Sequence, residues 1–171
     1  MNRKNISLLL GMVLLIMLFT ITGCSTKDAG IKRVYIAGPF FNQEEVKNVK
    51  YAEKVLKDKG LTYYSPMRHT VEEKQGTKEW ADAIFEIDRD EILKSDAVVA
   101  LYYGNNSDSG TAWECGYAYG NDVPVILVHV KKDGTSNLML HSSAYTNIYL
   151  DELKDYDFDK KPVYEYKGRM Y

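Results

Sequence analysis

Cysteine and histidine are scarce in this sequence. Its 2 cysteines, Cys24 and Cys115, form no CxxC pair, and its 3 histidines, His69, His129 and His141, lie far apart. Metal sites draw on such residues at close spacing, so the sequence argues against a metal centre. An excess of positive charge is missing too: 22 Lys and Arg stand against 24 Asp and Glu, a net charge of -2. A nucleic-acid binder carries a basic surplus, and that class of partner is set aside. The basic residues are scattered, as on an ordinary solvated surface. No GxGxxG follows the first folded apolar run, which leaves a nicotinamide or flavin dinucleotide without its phosphate cradle. Internal repeats and low-complexity tracts are also absent.

What is present begins with a segment unlike the rest. "MNRKNISLLLGMVLLIMLFTITGC" has Arg3 and Lys4, an apolar run from Ile6 to Ile21, and a small-residue end. That is the layout of a secretory signal over residues 1–23. The run is short for a membrane span, which needs roughly 17–25 apolar residues. An uncleaved anchor is the alternative reading. "ITGC" resembles a bacterial lipobox, in which Cys24 is lipidated and becomes the new N-terminus. Residues 24–31 then form a polar tether. Both readings put the folded part outside the cytoplasmic membrane. Cys115 is the only other thiol, so no internal disulfide framework is expected.

The remainder, 32–171, is one domain's worth of chain. "KRVYIAG" reads as a buried strand. Asn42 and Glu45 fit a helix start, Val46, Val49, Ala52, Val55 and Leu56 recur at helical spacing, and Gly60 is a stop. "LTYYS" is a second strand, ended by Pro66, and "MRHTVEEKQGTKE" a polar loop. Trp80, Ala83, Ile84 and Ile87 open a second amphipathic helix that runs to about Lys94. "DAVVALYY" is a third strand, "GNNSDSG" a loop, "TAWECGYAYG" a short helix, "VPVILVHV" a fourth strand, "NLML" a helical turn and "TNIYL" a last strand. Apolar strands alternating with helices predict an α/β fold: a doubly wound, flavodoxin-like parallel sheet of about five strands, covered on both faces. Ligands in such sheets sit at the carboxyl ends of strands. That rule selects "AGPFFN", "GNNSDSG" and the segment after Tyr64.

Several side chains in those places carry chemistry. Glu114 has two readings: it closes a capping box with Thr111, or it is a fixed carboxylate facing the cleft, fit to be a nucleophile. Asp88 shares a helical stripe with Trp80 and Ile84. As a half-buried acid it suits a proton donor, and as a boundary residue it only meets water. Asp108 is a loop acid that also suits a turn brace. Tyr35 sits near a strand exit, where most tyrosines are core. Phe40 and Phe41 are expected to divide between core and cleft. Asn137 reads as a helix cap.

Together, "VYIAGPFFN", "EIDRDEILKSDAVVALYYG", "DSGTAWECGYAYGNDVPVIL", "NLM" and the tail "YDFDKKPVYEYKGRMY" resemble the nucleoside 2-deoxyribosyltransferase family. The resemblance implies the flavodoxin-like fold, oligomers and transfer of 2-deoxyribose between bases, with no cofactor. Glu114, in "AWECG", falls on the nucleophile and Asp88, in "EIDRD", on the acid that handles the base proton. Tyr35 falls on the tyrosine that positions the nucleophile. Asp108 and Asn137 fall on groups that hold the sugar hydroxyls, the asparagine coming from a neighbouring subunit. Phe40 falls on the aromatic that packs on the base, and Tyr171 on a chain end that closes the site. The family's Asn-Gln after the second strand is replaced by His69 and Thr70, so base preference does not carry over. Three rivals are an N-glycosidase acting on deoxynucleoside 5'-monophosphates, a non-catalytic nucleoside-binding lipoprotein and a structural surface lipoprotein with no small-molecule site. Asp108 at the sugar end repels a phosphate, which favours a free 5'-hydroxyl.

Overall fold

The computed structural model describes residues 30–104, 107–132 and 134–171. The expected signal segment, 1–23, and Cys24 lie outside the described residues. In chain order the elements are β1 (Arg33–Ala37), α1 (Gln43–Asp58), β2 (Thr62–Tyr64), a 3-10 turn (Pro66–Arg68), α2 (Lys78–Leu93), β3 (Ala97–Tyr102), α3 (Ser109–Gly120), β4 (Val125–His129), β5 (Thr135–Ser136), α4 (Leu138–Ser143), β6 (Thr146–Tyr149), a 3-10 turn (Leu150–Glu152) and β7 (Arg169–Met170). Five strands form one parallel sheet in the order β2-β1-β3-β4-β6, as the alternation of apolar strands and helices predicts. β5 and β7 pair in a separate two-stranded sheet, which the polar tail sequence did not announce. Among the described residues no helix is long and apolar enough to cross a membrane.

The strand side chains alternate between two cores. Val34, Ile36, Val99, Leu101, Ile126 and Val128 meet Val49, Ala52 and Leu56 of α1 on one face. Tyr35, Tyr64, Val98, Ala100, Tyr102 and Leu127 meet Ile92 of α2 and Cys115 and Ala118 of α3 on the other. The body begins by Ile31, which is buried and donates its N–H to the Phe158 carbonyl at 3.1 Å.

Local sequence sets the helix ends. Asn42 and Glu45 make the expected reciprocal capping box at the start of α1. At its end Gly60 takes φ +74°, with Gly60 N–H on the Lys57 carbonyl and Leu61 N–H on that of Leu56, which satisfies the last carbonyls. α2 starts at Lys78, with Thr77 as its cap. The stripe expected to bring α2 onto the sheet is only partly covered. Ile92 alone is buried, while Phe85, Ile87 and Leu93 are exposed.

From β1 the chain moves outward to β2 and then returns to lie on β1's other side as β3. Strand order reverses there, and in open sheets of this kind ligands bind beyond the strand ends at such a point.

Candidate active site

Tyr35 stands on the α2–α3 face of β1, with no exposed surface. Its hydroxyl donates to Glu114 Oε1 at 2.5 Å. Tyr64 lies beside it in register on β2 and donates its hydroxyl to Asp88 Oδ1 at 2.9 Å. The two rings are nearly parallel, with centroids 5.6 Å apart, and His69 stacks on the outer face of Tyr64 at 4.2 Å. Arg68 anchors the turn that carries His69: its guanidinium grips the buried Glu53 of α1, Nε at 2.9 Å from Oε1 and Nη2 at 2.6 Å from Oε2. Two carboxylates from distant parts of the chain are thus held at the ends of neighbouring tyrosines.

Glu114 reaches this position because α3 begins earlier than its sequence pattern indicates. Asp108 is the cap. Its Oδ2 accepts from the Thr111 N–H at 2.8 Å and from the Thr111 hydroxyl at 3.1 Å. Thr111 is therefore a donor inside the first turn, and the Thr111–Glu114 capping box is corrected. Freed from the helix end, Glu114 points to Tyr35.

The surroundings hold both acids towards their neutral forms. Burial pushes the Glu114 carboxyl up to about 8; the Tyr35 hydrogen bond opposes this, and the charges of Asp88 and Asp108 add to it. Burial raises Asp88 as well, against the Tyr64 hydrogen bond and the proximity of His69. Both phenols are pushed upward, first by burial and then by the adjacent carboxylates, so they remain proton donors. Cys115, next in sequence to Glu114, is buried and its thiol is pushed up to about 12, which makes it inert.

A second group forms elsewhere on α3. Asp108, Asn137 and Tyr171 line a hollow of about 410 Å³ together with Tyr102 and the α3 residues Ala112, Gly116 and Tyr119. The latter three recur along one helix face, and Glu114 lies on another. Asn137 Oδ1 caps α4 through the Met139 N–H at 2.9 Å, as its position predicts. The chain end is fixed beside it: the Tyr171 N–H donates to the Ser136 carbonyl and the Tyr171 carbonyl accepts from the Leu138 N–H, both at 3.1 Å. The structure thus brings Glu114, Asp88 and Tyr35 together, and Asp108, Asn137 and Tyr171 together, as two clusters around α3. Phe40 sits at the β1 exit, stacked on Phe41 at 5.7 Å. Neither ring enters the core, contrary to the expected division, since Phe41 is 77% exposed and Phe40 36%.

The sequence reading did not single out Tyr64. Its sign was there: tyrosines near the exits of two consecutive strands, which a parallel pairing brings side by side. Among the described residues no group of His, Cys, Asp and Glu is placed to hold a metal ion.

Residues 34–150 match the family model described as Nucleoside 2-deoxyribosyltransferase. The chain is 27% identical over 154 residues to the nucleoside deoxyribosyltransferase of Lactobacillus leichmannii, covering 82% of this chain and 98% of that protein. It superimposes on the 2-deoxyribosyltransferase of Bacillus psychrosaccharolyticus with a TM-score of 0.72 and 34% identity, over 78% of this chain and 98% of the other. The CMP N-glycosidase of Clostridium botulinum, 22% identical with a TM-score of 0.53 over 73% of this chain and all of that one, shares the fold.

Proposed function

The chain belongs to the nucleoside 2-deoxyribosyltransferase family, and from that premise we propose how its own residues move deoxyribose from one base to another. The enzyme transfers 2-deoxyribose between nucleobases. Glu114 is the nucleophile: its carboxylate attacks the anomeric carbon, and the bond to the base breaks. Asp88 gives its proton to the departing base. A deoxyribosyl ester of Glu114 remains. An incoming base then loses a proton to Asp88 and attacks the same carbon, which releases the Glu114 carboxylate. Two displacements preserve the anomeric configuration and give ping-pong kinetics. No cofactor takes part in this scheme. Tyr35 fixes Glu114 by the 2.5 Å bond that carries the assignment. Phe40 packs on the base. Asp108 and Asn137 serve the sugar hydroxyls, and the chain end at Tyr171 closes over the site.

The hollow that holds Asp108, Asn137 and Tyr171 lies on another face of α3 than Glu114, so this reading needs a neighbouring subunit to complete the site, with Asn137 as its contribution. Assembly is favoured by an apolar patch beside the acids. Phe85 and Trp113 are 47% and 44% exposed, in contact at 5.2 Å, and Trp113 stacks on Tyr117 at 5.0 Å. We place the folded body outside the cytoplasmic membrane, held by a lipid on Cys24. In cells, Cys24→Ala should abolish incorporation of labelled fatty acid and shift the protein from the membrane to the soluble fraction. Unchanged labelling excludes the lipid anchor.

The catalytic scheme is tested with a 2-fluorinated deoxynucleoside, which slows release of the ester. Mass spectrometry should place the sugar on the peptide bearing Glu114, and Glu114→Ala should lower exchange between deoxyinosine and adenine by at least roughly a thousandfold. Label on another acid, or retained exchange, reassigns the nucleophile.

A further inference from the structure

We infer that Tyr64 is the positioning residue of the proton-handling acid, held by the stacked ring of His69, and that its hydrogen bond sets the balance between the two half-reactions. This rests on the reading of Glu114 and Asp88 given above and adds a residue to it.

The arrangement is a ladder of three nearly parallel rings, Tyr35, Tyr64 and His69, with centroid steps of 5.6 and 4.2 Å. Each tyrosine aims its hydroxyl at one carboxylate, Tyr35 at Glu114 and Tyr64 at Asp88. Tyr64 is 5% exposed and lies between the other two rings, so its hydroxyl has little freedom to turn. The outer rung is fixed in turn, because the residue before His69 is clamped to Glu53 of α1.

The two acids need different things from their tyrosines. Glu114 must be charged to attack. Asp88 must give a proton in the first half-reaction and take one in the second, so neither form can dominate. Burial favours its acid form, and the charge of Glu91 on the same helix adds to this; the Tyr64 hydroxyl, whose hydrogen bond favours the charged form, and the nearby His69 oppose it. The bond also occupies Oδ1. The travelling proton therefore rides on Oδ2: it leaves Oδ2 for the base nitrogen as the bond to the sugar breaks, and another returns there from the acceptor's N–H as the new bond forms. Charge and protons balance over the cycle, with Glu114 alternating between carboxylate and ester.

The test is Tyr64→Phe in the full-length protein, which keeps the ring in the ladder and removes the bond. Ester formation from deoxyinosine, read as the burst of hypoxanthine, should persist, because Asp88 is held more firmly as the acid. Transfer from the ester to adenine needs the carboxylate, and its acid limb should move to higher pH by about one to two units. At neutral pH transfer should then fall by about tenfold or more. Equal losses in both half-reactions with unmoved pH profiles mean a structural role and overturn the inference, as does no change in either. If Tyr64→Phe does not fold, His69→Ala is compared with His69→Phe: the alanine removes the outer ring and the imidazole's influence on Asp88, the phenylalanine only that influence, so a limb moved by the alanine alone supports the ladder, and a limb moved equally by both or by neither overturns it. A wild-type protein that forms no burst and exchanges no base instead refutes the underlying assignment of Glu114 and Asp88.

Discussion

In the proposed mechanism Glu114 has to be a carboxylate to attack the sugar, yet its surroundings favour the acid. Burial and the charges of Asp88 and Asp108 raise it to about 8, and the Tyr35 bond is what limits the rise. The sign of the pH dependence follows. Below that value most free enzyme carries a neutral Glu114, so kcat/KM should climb with pH along a limb near 8. Tyr35→Phe removes the group that favours the charged form, and the limb should shift upward, with transfer at pH 7 falling about tenfold or more. Profiles of kcat/KM against pH for the two proteins measure this directly. A limb that stays in place, or moves down, shows that the Tyr35 hydroxyl does not act on Glu114. The same tyrosine explains why Glu114 stands between Trp113 and Cys115: the helix supplies a half-buried place, and β1 supplies a donor that makes a charge there tolerable.

At the scale of elements, the start of α3 has two tasks for one side chain. Asp108 caps the helix, and the proposed mechanism also gives it to the sugar. The tasks separate by substitution. Asp108→Ala removes both and should cost about 0.5–2 kcal/mol of stability along with activity. Asp108→Ser keeps a capping oxygen, so its melting temperature should stay near the wild type's while the KM for deoxynucleoside rises. Recovery of full activity with the serine restricts Asp108 to the cap. This helix also marks the limit of what sequence reveals. The strands and α1 were legible because their signals are local: apolar runs, a capping box, a glycine stop. The start of α3 was misplaced because Thr111 with Glu114 imitates a capping box; which residue caps depends on the path of the loop that brings Asp108 in. Asp88 and Glu114 were legible as candidates from their own surroundings. The Tyr64 bond was not, since it joins residues on β2 and α2, 24 positions apart, that only the folded chain brings together. The β5–β7 pair likewise joins residues over thirty positions apart through two-residue strands, too short to leave a periodic pattern.

For the whole molecule, the proposed assembly is tied to activity through the uncovered half of α2. An apolar stripe that the chain's own sheet does not cover is expected to meet another surface. Trp113 belongs to that patch and immediately precedes Glu114, so a subunit covering Phe85 and Trp113 also walls the site and keeps water from the ester. A charge placed in the centre of such a contact costs about 2 kcal/mol or more. Phe85→Glu should therefore lower the mass found by light scattering. In the same dilution range it should raise hydrolysis relative to base exchange, because water then reaches the exposed ester. The side chain is about half exposed in the subunit, its ring packing on Trp113 with the Arg89 guanidinium 5.8 Å away, so the fold itself should survive. Circular dichroism should match the wild type's. If the variant keeps the wild-type mass and the wild-type ratio of transfer to hydrolysis, the patch is not the subunit contact, and the site must be closed by the chain's own loops.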